Sequence, residues 1–286
     1  MQPSWLRSAG SLSTALISPV RGRRFFLGSV GILLGIFCWW LITSGSGIIN
    51  PAFLPDPTTS LRAMIRLVTT GPLVGSGDGY GGVNLLGHAL TSAYRVIAGF
   101  LIVVLIALPL GLAIASSRWV ETILNPVVQL MRPIPPIAWT PLAILWFGTG
   151  TAAVLFAITI GVVWPLIIST VAGVRCASGL LIRAAAALGA SPMQIYLRVI
   201  VPASMPYLFT GLRLAFGMAW WMIIPAELIA AQRGLGYLII RAQDNQNTAD
   251  VIVGILSIAL VGFGFECLFR RLQRWRYFSA PGKAWG

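Results

Sequence analysis

Long apolar runs separated by short polar turns recur along most of this chain, and they leave few folds open to it. Runs of about 20 apolar residues suit helices crossing a hydrocarbon layer roughly 30 Å thick. A membrane barrel would instead alternate polar and apolar residues in segments of about 10. Of the 286 residues, 57% are hydrophobic and 9% charged, against about 25% charged in soluble domains, and the mean hydropathy is +0.85. The sequence therefore predicts an all-α polytopic membrane protein. The net charge of +13 is spread over the ends of the apolar runs rather than gathered in a stripe, which argues against nucleic acid as a partner. Cys38, Cys176 and Cys267 lie far apart without metal-type spacing and are expected to be lipid- or helix-packed thiols. No metal or cofactor is expected.

The chain divides into a basic segment (1–24), a first span (25–49), an external loop (50–84), a core (85–269) and a basic tail (270–286). The first run is too long for a signal peptide, whose apolar region is about 7–15 residues. Its Gly28, Gly31 and Gly35, the last two in GxxxG spacing, predict close helix packing. Thr58 to Thr70 reads as an amphipathic helix, with Leu61, Met64, Ile65 and Val68 opposite Arg62 and Arg66. Gly71 to Gly82 reads as a loop. Further spans are expected at 85–115, 137–147, 152–172, 207–231 and 251–269, six in all. The third is short, interrupted by Pro141 and preceded by Arg132-Pro133-Ile134-Pro135-Pro136, where proline opposes regular helix. Gly148-Thr149-Gly150 is its turn. Gln232 to Asp250 reads as a polar turn outside, a possible contact for a solute-binding protein or an ordinary solvated turn. Counting Lys and Arg on alternate faces gives about fifteen to four, which places both termini and the 173–206 loop in the cytoplasm.

That loop is the most informative polar segment. Arg183 to Leu188 is an alanine-rich helix former, Gly189 breaks it, and Ser191-Pro192-Met193-Gln194 supplies a cap, a first-turn proline and a glutamine able to close a capping box. Two short helices are expected to meet at Gly189. Ile195, Tyr196 and Val199 would present surface from the second, and Pro202 with Pro206 would end it. A connection this long usually has a task, and this one reads as a docking site for a soluble partner. The alternative is a plain interfacial connector.

The frame Arg183-Ala184-Ala185, Gly189, Val199, Val201, Pro202 resembles the cytoplasmic loop motif of the permease subunits of bacterial binding-protein-dependent ABC importers, with arginine in place of the leading glutamate and valine in place of leucine. The departure removes a carboxylate that a partner would otherwise meet. The resemblance extends to Arg132–Pro136, Trp146-Phe147-Gly148, Pro206–Arg213, Ala226–Ile229 and Gly234–Leu238, and is similar to the nitrate, sulfonate, taurine and bicarbonate branch. It implies a homodimeric permease in the bacterial inner membrane that imports a small anion. Its partners are cytoplasmic ABC ATPase subunits and an extracytoplasmic solute-binding protein. It further implies that Arg183, Ala184, Ala185, Gly189, Ala190, Ser191, Val199 and Pro202 belong to the ATPase-coupling element.

Ionisable and aromatic residues inside the spans are the candidates for a translocation path, because a buried charge is costly unless it serves a cavity or a partner. Arg95 and Arg213 suit a planar anion. Glu227 is expected to bond across a dimer, pair with Arg233, or sit at the interface, and Glu266 to snorkel. Trp220 and Trp221 are read as packing or as part of the path, and His88 as a satisfied histidine. The chain contains no phosphate-binding loop of the type G-x-x-x-x-G-K-[ST], so it is read as non-catalytic. A self-sufficient secondary transporter is the rival reading; it predicts internal repeats and coupling-ion carboxylates in the spans, neither of which is evident.

Overall fold

The computed structural model describes residues 26–45, 50, 52–71, 80–177 and 179–279, with side chains up to 271. The whole of the expected N-terminal segment, part of the 71–82 loop and the end of the basic tail lie outside the described residues. Among the described residues every regular element is helical. Five helices are long and apolar enough to cross a membrane, and one shorter apolar helix accompanies them. The chain divides into two units, 1–63 and 64–286.

In the first unit, helix α1 (Phe26–Gly45) is apolar on all sides and ends in a π turn, Leu41–Gly45. Among the described residues nothing lies within 4 Å of a Cβ added at Gly28, Gly31 or Gly35. Helix α2 (Pro57–Thr69) forms where amphipathic spacing predicted it, and Leu61, Ile65 and Val68 on its apolar face stay exposed.

The second unit is built on three spans, α3 (Leu85–Ser116), α6 (Thr151–Arg175) and α9 (Val201–Ala230), with α6 in the middle. Small residues set their separation. A Cβ on Gly99 would come within 2.8 Å of Ile158, and one on Gly111 within 2.6 Å of Thr170. Val96, Val103, Ile158, Leu166, Phe216 and Ile223 fill the seam. Close approach matters here because lipid tails are as apolar as the side chains, so helices gain by backbone proximity rather than by leaving water. The last span, α11 (Thr248–Ser279), packs beside α9 and behind α10 (Leu235–Asp244).

Three sequence expectations are corrected. The third apolar segment, expected at 137–147, forms as Pro136–Phe147 but is not isolated. Helix α4 (Arg118–Met131) precedes it, and the chain passes through a proline break and a 3-10 turn, Pro136–Trp139, into α5 (Thr140–Phe147). Glu121 on α4 pairs with Arg175 at the end of α6, Pro136 abuts Gly161 midway along α6, and Gly150 bonds to Ala230 at the opposite end. Helices α4 and α5 thus run antiparallel to α6 on either side of the proline break. Secondly, Pro202 and Pro206 do not end a helix, because the chain runs helically from Pro192 to Ala230. A π turn, Tyr196–Ile200, in which the Val201 N–H reaches back to Tyr196, widens the coil just ahead of Pro202. Thirdly, the region 232–250 is not a simple turn. It contains α10, whose Leu235, Leu238 and Ala242 are buried.

Candidate functional site

At the end of the bundle where α6 stops, the chain makes an elbow. Helix α7 (Gly179–Ala187) closes in a Schellman arrangement: the Ala190 N–H donates to Ala185 and the Gly189 N–H to Ala186. Gly189 at φ +78° adopts the left-handed conformation that costs a residue with a Cβ about 1–2 kcal/mol. Helix α8 (Pro192–Ile195) then starts on the expected capping box. The Ser191 hydroxyl accepts from the Gln194 N–H, and the Gln194 side chain accepts from the Ser191 N–H at 2.9 Å. Arg183, Ala184, Ala185, Gly189, Ala190, Ser191, Val199 and Pro202 fall on α7, its cap, the start of α8, the π turn and the first turn of α9.

No residue of α7, α8 or the π turn is buried. Ile195, Tyr196 and Val199, expected to present the apolar surface, are half-buried. Leu188 at 88%, Met193 at 66% and Leu197 at 57% exposure stand out instead. The capped reversal aims Leu188 outward, which the linear spacing did not reveal. An apolar elbow beyond the spans is the kind of surface that a protein partner covers.

The opposite end carries a closed polar knot. Arg95 and Glu227, expected along a path, are 4% and 0% exposed and face each other. Arg95 Nη1 donates to Glu227 Oε1 at 2.8 Å and to the Arg233 carbonyl at 2.6 Å, while Nε and Nη2 reach Thr151 Oγ1, each at 3.2 Å. Glu227 also accepts from Ser92 Oγ and from the Gly236 N–H. Ser92 Oγ accepts from the Leu235 N–H. His88 Nδ1 accepts from the Gly234 N–H at 3.0 Å, so its proton sits on Nε2 and is donated to the Tyr80 carbonyl at 2.6 Å. Glu227 therefore pairs with Arg95 and is buried within this chain. A Cβ on Gly234, at φ +121°, would run into the Glu227 carboxylate. The knot ties the α9–α10 turn to α3 and α6, and every side-chain nitrogen of Arg95 and oxygen of Glu227 in it has a partner.

Next to it, Asp250, 1% exposed, accepts from Arg66 Nη2 at 2.5 Å, Tyr80 Oη at 2.7 Å and Asn247 Nδ2 at 2.8 Å. Burial, then the bond to Asp250, pushes the Tyr80 phenol up to about 12.

Arg213, by contrast, lines an open cavity of about 430 Å³ between α9 and α11. It pairs with Glu266, which also meets Arg270 at 3.3 Å, so Glu266 is bridged rather than merely snorkelling. Trp221 stands 79% exposed on this groove, whereas Trp220, at 7%, packs against Phe265 with ring centroids 5.3 Å apart. Cys38, Cys176 and Cys267 are all exposed on this chain. Among the described residues no three His, Cys, Asp or Glu side chains gather as metal ligands.

With this geometry in hand, similarity to known proteins places the fold. The profile of the family described as binding-protein-dependent transport system inner membrane component matches residues 107–276. The chain is 36% identical to the taurine transport system permease protein TauC of Escherichia coli (strain K12) over 87% of this chain and 86% of that protein. It is 33% identical to the bicarbonate transport system permease protein CmpB of Synechococcus elongatus, over 85% of this chain and 86% of that one. A chain of the MetNI methionine ABC transporter in an inward-facing conformation superposes with a TM-score of 0.53 at 18% identity, covering 64% of this chain and 93% of the other.

Proposed function

Since the chain belongs to the binding-protein-dependent transport system inner membrane component family, we propose that two copies form the path of an ATP-driven importer for a small anion of the sulfonate or bicarbonate class. The α7–α8 elbow receives force from separate cytoplasmic ATPase subunits. The observation that carries this reading is the elbow itself, a segment locally locked by a Schellman closure and a capping box, yet with nothing buried and with Leu188, Met193 and Leu197 in the open. A rigid, uncovered apolar lever suits a mechanical coupling role. Arg183 and Ser191 lie on its exposed face. The substrate class rests on the taurine and bicarbonate relatives.

Both termini and the elbow then lie in the bacterial cytoplasm, in line with the distribution of arginine, and the α9–α10 end faces outward to receive a solute-binding protein. Among the path candidates, Trp221 and Arg213 border an open groove, while Arg95 and Glu227 serve as scaffold. In lipid vesicles the chain alone should give no ATP-dependent uptake of taurine or bicarbonate. Adding the ATPase and binding protein should restore uptake of one of them. Uptake by the chain alone under an ion gradient would instead establish the secondary transporter. Ser191→Cys in cysteine-free protein should resist an impermeant thiol reagent in intact cells and react once the membrane is permeabilised, and labelling in intact cells would overturn the orientation.

A further inference from the structure

The segment ahead of the proline break carries a polar stripe that none of the interactions above uses. On α4, Asn125, Gln129 and Arg132 recur at i, i+4 and i+7, which places them on one helical face, and all three are exposed. The opposite face holds Trp119, Ile123 and Leu130, exposed at 82%, 67% and 66%. The stripe looks onto a cavity of about 310 Å³ between α4 and α6, which the Glu121–Arg175 ion pair at 2.6 Å also lines. At 1.5 Å per residue, Arg132 stands about 16 Å along the helix from Glu121. It thus stands well along the bundle from the end where α6 stops. It has no ion-pair partner among the described residues.

The break directly above points the same way. Pro133, Pro135 and Pro136 have no N–H, so the carbonyls of Gln129 and Arg132 lack their usual helical donors, and Met131 accepts from the Ile134 N–H instead. Irregular backbone at membrane depth is tolerated where protein covers it or where it lines a water-filled cavity, and discontinuous helices are a recurring way to build a solute site there. Just past the break the Thr140 hydroxyl is buried without a hydrogen-bond partner. With Glu121 engaged by Arg175, the cavity keeps an uncompensated positive charge at Arg132. A guanidinium offers a planar oxyanion two parallel donors, and the neighbouring amides of Gln129 and Asn125 supply more.

We propose that the α4 stripe lines the water-filled route through this chain and that Arg132, beside the proline break, is the contact for a passing carboxylate-, sulfonate- or bicarbonate-type anion. This deepens the proposed function and rests on it. The test uses the chain assembled with its ATPase and binding protein in vesicles, after Cys38, Cys176 and Cys267 are replaced by serine. Single Gln129→Cys and Ile123→Cys variants are treated with sulfonatoethyl and aminoethyl methanethiosulfonates. Gln129→Cys should react readily and Ile123→Cys should not. Relative to a free thiol, the sulfonate reagent should be favoured about tenfold at Gln129→Cys. Arg132→Gln should abolish that preference and Arg132→Lys should keep it. Equal reactivity of the two faces, or a preference indifferent to Arg132→Gln, would overturn the proposal. Uptake by the chain alone would remove the importer reading but leave this labelling pattern intact, so the two failures are distinguishable.

Discussion

At one end of the core, Arg95, Glu227, Ser92 and His88 are at most 4% exposed, and each of their side-chain polar atoms has a partner. At the other, no residue between Gly179 and Ile200 that the structure describes is buried. The knot is held by residues far apart in sequence, such as Arg95 with Glu227. The elbow is held by neighbours, such as Ser191 with Gln194. Ordering through long-range contacts makes a region rigid with respect to the bundle. Ordering through local contacts makes a region rigid in itself while free to engage something else. A coupling element needs the second kind, and a turn that must hold three spans in register needs the first.

The comparison breaks most readily at Glu227. Glu227→Ala leaves the buried Arg95 charge without its carboxylate and the Gly236 N–H without its acceptor, and should cost about 3–5 kcal/mol, read as a lowered thermal midpoint of purified protein in detergent. Replacing Arg95 and Glu227 together by leucine should cost less than the sum of the single replacements by about 1 kcal/mol or more. Additive losses would mean that the pair does not act as a unit. Gly234→Ala should approach the single-site loss, because its Cβ has no space beside the carboxylate.

The elbow should respond to a smaller degree and in a different observable. Gly189→Ala is expected to cost about 1–2 kcal/mol locally with little change in the midpoint of the whole bundle, since the segment buries nothing there. ATP-dependent uptake should fall much more than folded yield. Ser191→Ala should cost about 1 kcal/mol through the lost cap, with Ser191→Asp retaining the cap and most of the uptake. Should either elbow variant unfold the bundle as Glu227→Ala does, the contrast between the ends fails.

This division also explains what was legible. The elbow's helices, break and cap were readable from Arg183 to Gln194 because each depends on residues within five positions. The spans were readable from apolar length, apart from the third, where α4 carries Glu121, Asn125, Gln129 and Arg132 and so reads as a cytoplasmic connector. The Arg95–Glu227 pair was not legible, since one sequence offers Glu227 several arginines and only the packing of α3 against α9 selects among them. Helix α10 was hidden by the polar residues around it, although Leu235, Leu238 and Ala242 have helical spacing that could have revealed it.

The smallest effect sharpens the comparison, because it tests a node at the same end as the knot but nearer to water. Tyr80→Phe removes one donor to Asp250, which keeps Arg66 and Asn247, so the loss should be about 1 kcal/mol. Its pH dependence has a fixed sign. The phenol pKa is raised in the folded state, from 10.0 to about 12, so the folded protein favours the protonated form. That contribution is whole below pH 10 and is lost as pH rises toward 12. The midpoint difference between wild type and Tyr80→Phe should therefore be constant up to about pH 10 and shrink above it. A difference that grows with alkalinity would show that Tyr80 does not donate to Asp250, and that Asp250 is held by Arg66 and Asn247 without it.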